Sequence, residues 1–174
     1  MFKTILVATD GSDHAKRAVA MAADLAKKSK AKLVALHVMG NDPLPEGDRH
    51  MMEVEFADEL RKFPRAEPPD EIYAFSTQAF VRRHREKDEV LRGLIGKHLL
   101  ESVKKEVGES GVNDVATVLE KGDPASKILK VAAEKNVDLI VLGSRGLGSL
   151  GELFLGGVSN KVSHGADINV MIVK

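Results

Sequence analysis

Between Gly143 and Val162 the chain reads GSRGLGSLGELFLGGVSNKV and holds six glycines: Gly143, Gly146, Gly148, Gly151, Gly156 and Gly157. A glycine inside a helix weakens it by about 1 kcal/mol relative to alanine, so this density is expected only where backbone must turn sharply or approach something closely. Gly143 closes an apolar run, and Gly146 follows after Ser144 and Arg145. That places a tight turn at the carboxyl end of a strand, where open α/β sheets bind ligands. Beyond it the residues suit a short helical turn over 149–155, then a break and a new helix beginning near Gly157. The amides of Gly157, Val158 and Ser159 would then lack intrahelical acceptors and carry partial positive charge, an anion seat that requires no lysine. The matching ligand is polyanionic, most naturally a phosphate chain. A glycine-rich loop that merely turns is the competing reading. No Walker A pattern occurs, and GLGSLG at 146–151 matches GxGxxG with too little chain after it for a dinucleotide-binding βα unit.

Other residues with chemical potential are weaker. Asp10, Ser12, Asp13 and His14 follow the first apolar run. Asp10, at a strand's carboxyl end, could hold a divalent ion, whereas Ser12 and Asp13 read as helix caps. TDGSDH lacks the SGGxDS turn of pyrophosphatase-type ATP enzymes, which argues against adenylation. His84 and His98 would stand about 21 Å apart on a continuous helix and cannot share a metal. His37 lies in an apolar run and reads as a satisfied core histidine. His164 suits the carboxyl end of a last helix. RRHREK at 82–87 has no interleaved aromatics and reads as a solvated helical face. No nucleophile paired with a general base is visible.

The elements that must position these residues alternate. The runs 4–9, 32–39, 115–120, 138–143 and 168–173 are short and rich in Val, Ile and Leu, as buried strands are, although 115–120 alternates more than the others. Ala15, Ala18, Val19, Ala22, Ala23 and Ala26 recur at helical spacing after the first run. Asp123, Pro124, Ala125, Ile128, Leu129 and Ala132 form a capped helix that ends near Asn136, and 87–107 forms a longer amphipathic one. This order predicts an α/β sandwich with a mostly parallel sheet covered on both faces. Residues 41–85 interrupt the rhythm with two amphipathic pieces, around Met52, Phe56 and Leu60 and around Ile72, Phe75, Ala79 and Phe80. The segment holds Phe56, Phe63, Tyr73, Phe75 and Phe80, five of the seven aromatics, which must be buried somewhere.

A length of 174 residues and 43% apolar content suit one domain. The 26 basic and 26 acidic side chains cancel, so no global field draws the chain to nucleic acid or to an anionic membrane. With no cysteine, disulfide scaffolds and thiolate chemistry are excluded. No signal-peptide pattern or transmembrane-length run appears, and a cytoplasmic location is expected.

The segments ILVATDGSDHA, LHV at the end of the second strand, KGDPASKIL and GSRGLGSLGELFLGG resemble the universal stress protein family, specifically its ATP-binding branch. The likeness spans 2–40 and 112–174 and includes the branch's spacing of GxxG, nine residues, then G, here Gly143, Gly146 and Gly156. It implies one domain over 1–174 with a five-stranded parallel sheet of order 3-2-1-4-5, helices on both faces and an extended connection after strand 2. ATP, with Mg or Mn as a companion ion, would lie across the ends of strands 1 and 4. Ala8, Thr9 and Asp10 would border adenine and ribose, the backbone of Val38 would read the adenine edge, and Leu142 and Gly143 would line the ribose side. Gly146, Gly156, Gly157, Val158 and Ser159 would hold the phosphates, with Arg145 beside them. The family carries Ser or Thr where this chain has Gly157. The lost hydroxyl contact is worth about 1.5–3 kcal/mol, tenfold or more in affinity, and Ser159 is the candidate to replace it.

The resemblance implies an ATP-binding stress-response or regulatory switch that acts on a protein partner and forms a homodimer through the edge strand Ile168 to Val173. Two alternatives stay open. One is a slow ATP or nucleotide hydrolase using Asp10 and a divalent ion; the other is a nucleotide-free dimeric scaffold whose aromatic insert recruits a partner.

Overall fold

The computed structural model describes residues 1–41, 44, 46–62, 77–146 and 156–174, apart from the side chains of 48 and 77–84. Two compact units divide the chain: Met1–Asn41 with Gly96–Lys174, and Asp42–Ile95.

In the first unit five strands, β1 (Thr4–Ala8), β2 (Lys32–Met39), β3 (Val115–Lys121), β4 (Leu139–Gly143) and β5 (Asn169–Val173), form one sheet. All neighbours run parallel, in the order β3-β2-β1-β4-β5. The strand residues divide by parity. Ile5, Val7, Leu33, Ala35, Leu139 and Val141 enter one core, and Leu6, Val34, Leu36, Ile140 and Leu142 enter the other. Both faces are therefore dry, which explains why these strands are apolar without alternation. Each fully buried Leu, Ile or Val contributes about 1.5–3 kcal/mol.

Helix α1 (Asp13–Ser29) covers the first face with the expected alanine stripe, and Ser12 is its N-cap, accepting from the Ala15 amide at 3.3 Å. Small side chains let the helix lie close to the sheet. Helices α2 (Glu46–Glu55) and α3 (Ala57–Arg61) belong to the second unit, and α4 (Thr77–Glu109) passes from the second unit into the first at Gly96. Leu100, Val103 and Val107 of α4 join the core under α1. The opposite face is covered by α5 (Pro124–Glu134), capped by Asp123 as expected, and by α6 (Gly157–Gly165), which starts where the glycine break predicted. At the end of the sheet where β1 and β4 begin, the Asp138 carboxylate accepts from the amides of Lys3 at 2.7 Å and Thr4 at 2.8 Å. These two donors, the Thr4 amide foremost, hold its pKa below the usual aspartate range.

In the second unit the piece expected around Met52, Phe56 and Leu60 is α2 and α3, joined at the buried Phe56. Asp88 is buried and accepts from Arg49 at 2.8 Å and from the Leu44 amide at 3.2 Å. The helix expected over 87–107 is longer, because 81–87 contain no Gly or Pro to stop it. Of the expected piece around Ile72 and Phe80, residues 77–80 open α4 and the rest lies outside the described residues. So do Phe63, Tyr73 and Phe75, and the side chain of Phe80.

Candidate functional site

The strand order reverses between β1 and β4: from β1 the chain builds outward through β2 and β3, then returns to β4 and β5 on the other side. Crossover helices diverge at such a switch point and leave a crevice beyond the carboxyl ends of the strands. A cleft of about 400 Å³ lies there, within the usual range for small-molecule sites.

Each strand end supplies part of its lining. β1 gives Ala8, followed by Thr9 and Asp10; β2 gives Leu36 and Val38; β4 gives Leu142 and Gly143, followed by Arg145 and Gly146. The Thr9 amide donates to Leu36 O at 2.9 Å, and there β1 leaves the sheet. In a parallel sheet, residues two apart on a strand turn their peptide groups to the same side. The amide and carbonyl of Val38 therefore point to the β1 side, beyond the last pairing of Ala8 with Leu36. They are placed to recognise a ligand edge.

The turn after β1 is fixed from within. The Gly11 amide donates to Thr9 Oγ1 at 3.3 Å and the Ser12 amide to Asp10 Oδ1 at 3.0 Å. His37, as expected, is satisfied: its Nδ1 stands 2.8 Å from Thr9 O, and a carbonyl can only accept, so this nitrogen carries the proton.

The other wall is backbone. Gly156 is the N-cap of α6 without a side-chain cap bond, and its amide donates to Ser144 O at 2.8 Å. The first α6 amide with an intrahelical acceptor is Asn160, bonded to Gly156 O at 3.0 Å. The amides of Gly157, Val158 and Ser159 precede it and lack one, as helix geometry requires. All three residues line the cleft. The glycines have separate physical reasons. A Cβ on Gly143 would sit 2.8 Å from His14 C and 2.9 Å from Ala15 N, so β4 passes directly under the first turn of α1. A Cβ on Gly146 would stand 2.5 Å from Asp10 Oδ2. At Gly157 nothing lies within 4 Å among the described residues.

With this geometry in view, the chain matches the family model described as the Universal stress protein family over residues 1–174. It is 35% identical over 179 residues to universal stress protein YxiE of Bacillus subtilis (strain 168), with 100% of both chains covered. The chain belongs to the universal stress protein family. Among solved structures it is similar to hypothetical protein MJ0577, at 26% identity and a TM-score of 0.65, covering 100% of this chain and 96% of that one. A universal stress protein solved in complex with cAMP shares the fold at 23% identity and a TM-score of 0.58, with 99% of this chain and 97% of that one covered.

All twelve residues selected from the universal stress protein pattern, Ala8, Thr9, Asp10, Val38, Leu142, Gly143, Arg145, Gly146, Gly156, Gly157, Val158 and Ser159, line this single cleft. One expectation needs correction. Ser159 does not offer its hydroxyl to the cleft: the side chain is buried at 5% exposure and donates to Gly143 O at 2.7 Å. Lys161, which the glycine pattern does not include, also lines the cleft. Its Nζ is 3.8 Å from Asp123 Oδ2. The Asp123 carboxyl is held below its ordinary pKa range by the Ser126 amide first, then the Ser126 hydroxyl, with Lys161 adding to both. Ala15, Leu36, Pro124 and Ile128 complete the wall and were also missed. Among the described residues no group of three or more His, Asp or Glu converges on a metal position, and no helix is long and apolar enough to cross a membrane.

Proposed function

We propose that this universal stress protein is a nucleotide-dependent regulatory switch that takes ATP in the cleft between β1 and β4. One observation carries the reading: twelve residues scattered from Ala8 to Ser159 converge on one cleft, apolar beside Leu36, Ile128 and Leu142 and lined by main-chain amides at the start of α6. A purine fits the first part, where Val38 turns peptide groups toward it. A phosphate chain fits the second, where a helix N-terminus favours negative charge. A protein of the same fold was solved with cAMP. Mg or Mn, which bind through one or two carboxylates together with phosphate oxygens, would have Asp10 as their carboxylate in this lining.

Occupancy of the cleft then fixes how the Gly143–Gly146 turn and the start of α6 sit against each other, and a partner reads that surface. Assembly through β5, an edge of the sheet, belongs to the same proposal. The test is calorimetric titration of the purified chain with ATP, alongside chromatography of any nucleotide released on denaturation. Saturable one-site binding is expected. No heat and no released nucleotide would overturn the reading.

A further inference from the structure

We infer that Lys161 sets the number of phosphates this cleft prefers, making it a site for a nucleoside polyphosphate over a nucleoside monophosphate. The inference builds on the nucleotide reading above and assigns a residue that the glycine pattern does not include. Lys161 lines the cleft and stands four residues after Gly157 on α6, which places both on one face of the helix. A helix N-terminus supplies only about half a unit of positive charge. A monophosphate is matched best by that seat alone, while each further phosphate adds negative charge that the amides do not neutralise. Lys161 supplies a full charge one turn further along. It also compensates Gly157, where the family pattern would carry a hydroxyl.

The present partner of Lys161 supports a movable role. Its side chain is 67% exposed and its separation from Asp123 is 3.8 Å, a loose surface pair of the kind that contributes little. Asp123 is satisfied without it, because its Oδ1 already accepts from the Ser126 amide at 3.0 Å and the Ser126 hydroxyl at 2.7 Å as the cap of α5. Releasing Lys161 toward a bound phosphate chain therefore leaves the cap of α5 intact. Asp123 competes with the ligand for the lysine and lowers the affinity for anions.

The experiment compares ATP and AMP affinities by calorimetry for the wild-type chain, Lys161→Met and Asp123→Asn. Met keeps the apolar stem and removes the charge; Asn caps a helix as well as Asp and removes the competitor. Lys161→Met is expected to weaken ATP about tenfold, the loss of one charge-assisted contact, and to leave AMP within about twofold. Asp123→Asn is expected to tighten ATP several-fold and AMP little. Equal losses for ATP and AMP, or an unchanged ratio in both variants, would overturn the role of Lys161 while the nucleotide reading stands. Wild-type chain that binds neither nucleotide would overturn both. Native circular dichroism and a thermal midpoint well above the titration temperature in both variants separate a binding effect from a folding one.

Discussion

The Ser159 hydroxyl donates to the Gly143 carbonyl oxygen at 2.7 Å, and both residues line the cleft. This bond ties the first turn of α6 to the last residue of β4, so the amide seat and the strand end move as one. Ser159 is thus a brace of the seat, and its contribution to a ligand is its main-chain amide.

Replacing Ser159 with Ala leaves the Gly143 carbonyl without this donor from the buried first turn of α6. The expected loss is about 1–3 kcal/mol of folding stability, measured by urea denaturation with an unchanged slope. ATP affinity falls less than it would on losing a direct phosphate ligand, because the amides remain.

Gly157→Ser puts a hydroxyl where the family pattern carries one, in space that is open among the described residues. ATP affinity is expected to rise about tenfold, as befits one added hydrogen bond to a charged group. Calorimetry on the variant and the parent checks this. Gly156→Val acts oppositely: even a bare Cβ there would meet Arg145 Cα at 3.3 Å and Ser144 O at 3.4 Å. The larger side chain should push the start of α6 away and abolish ATP binding, with the far-ultraviolet circular dichroism retained.

Two glycines of the turn should separate stability from binding. In Gly143→Ala the new methyl meets the main chain of His14 and Ala15, which cannot step aside cheaply. Overpacking of that kind costs about 1–3 kcal/mol, visible as a lower midpoint of thermal unfolding. In Gly146→Ala it meets the end of the Asp10 side chain, which gives way more cheaply than main chain does, at the expense of its bond from the Ser12 amide. Stability should change by less than in Gly143→Ala while ATP affinity drops, since Asp10 borders the proposed ribose.

Asp138 lies at the opposite end of β4 from the cleft, where Lys3 and Thr4 amides hold its carboxylate. Its pKa is lowered on folding, so the folded state binds this proton less readily than the unfolded chain. The stabilisation is complete above the unfolded value near pH 4 and is lost as pH falls through the lower folded value. Asp138→Asn should therefore reduce stability at neutral pH and flatten its fall below about pH 4, leaving ATP affinity at pH 7 unchanged. Denaturant titrations across pH 2–7 would show a parallel acid limb if the reading is wrong.

Most of the sheet could be read from the amino-acid sequence because Leu, Ile and Val fill both faces of its inner strands, a pattern few other elements allow. Even β3, which alternates more than the others, is a strand at the sheet edge. The main-chain side of the cleft was equally legible, since Gly143, Gly146 and Gly156 mark places where a Cβ would meet packed neighbours. Its side-chain wall was not. Leu36 and Ile128 look like any other core residues until the crevice opens beside them, and Lys161 looks like one more solvated lysine. The one signal for Lys161 was its position, four residues after Gly157 on a helix whose first turn was already proposed as an anion seat. The hydroxyl of Ser159 was misread because sequence spacing says which turn a side chain occupies, and not whether a buried carbonyl nearby claims it first.

The most direct measurement is a nuclear magnetic resonance titration with ATP that follows the backbone amides of Gly157, Val158 and Ser159. Large, saturable shifts at these three, with smaller ones at Val38 and Leu142, are the expected result. Amides at the start of α6 that stay unmoved at saturating ATP would contradict a phosphate seat made of main chain.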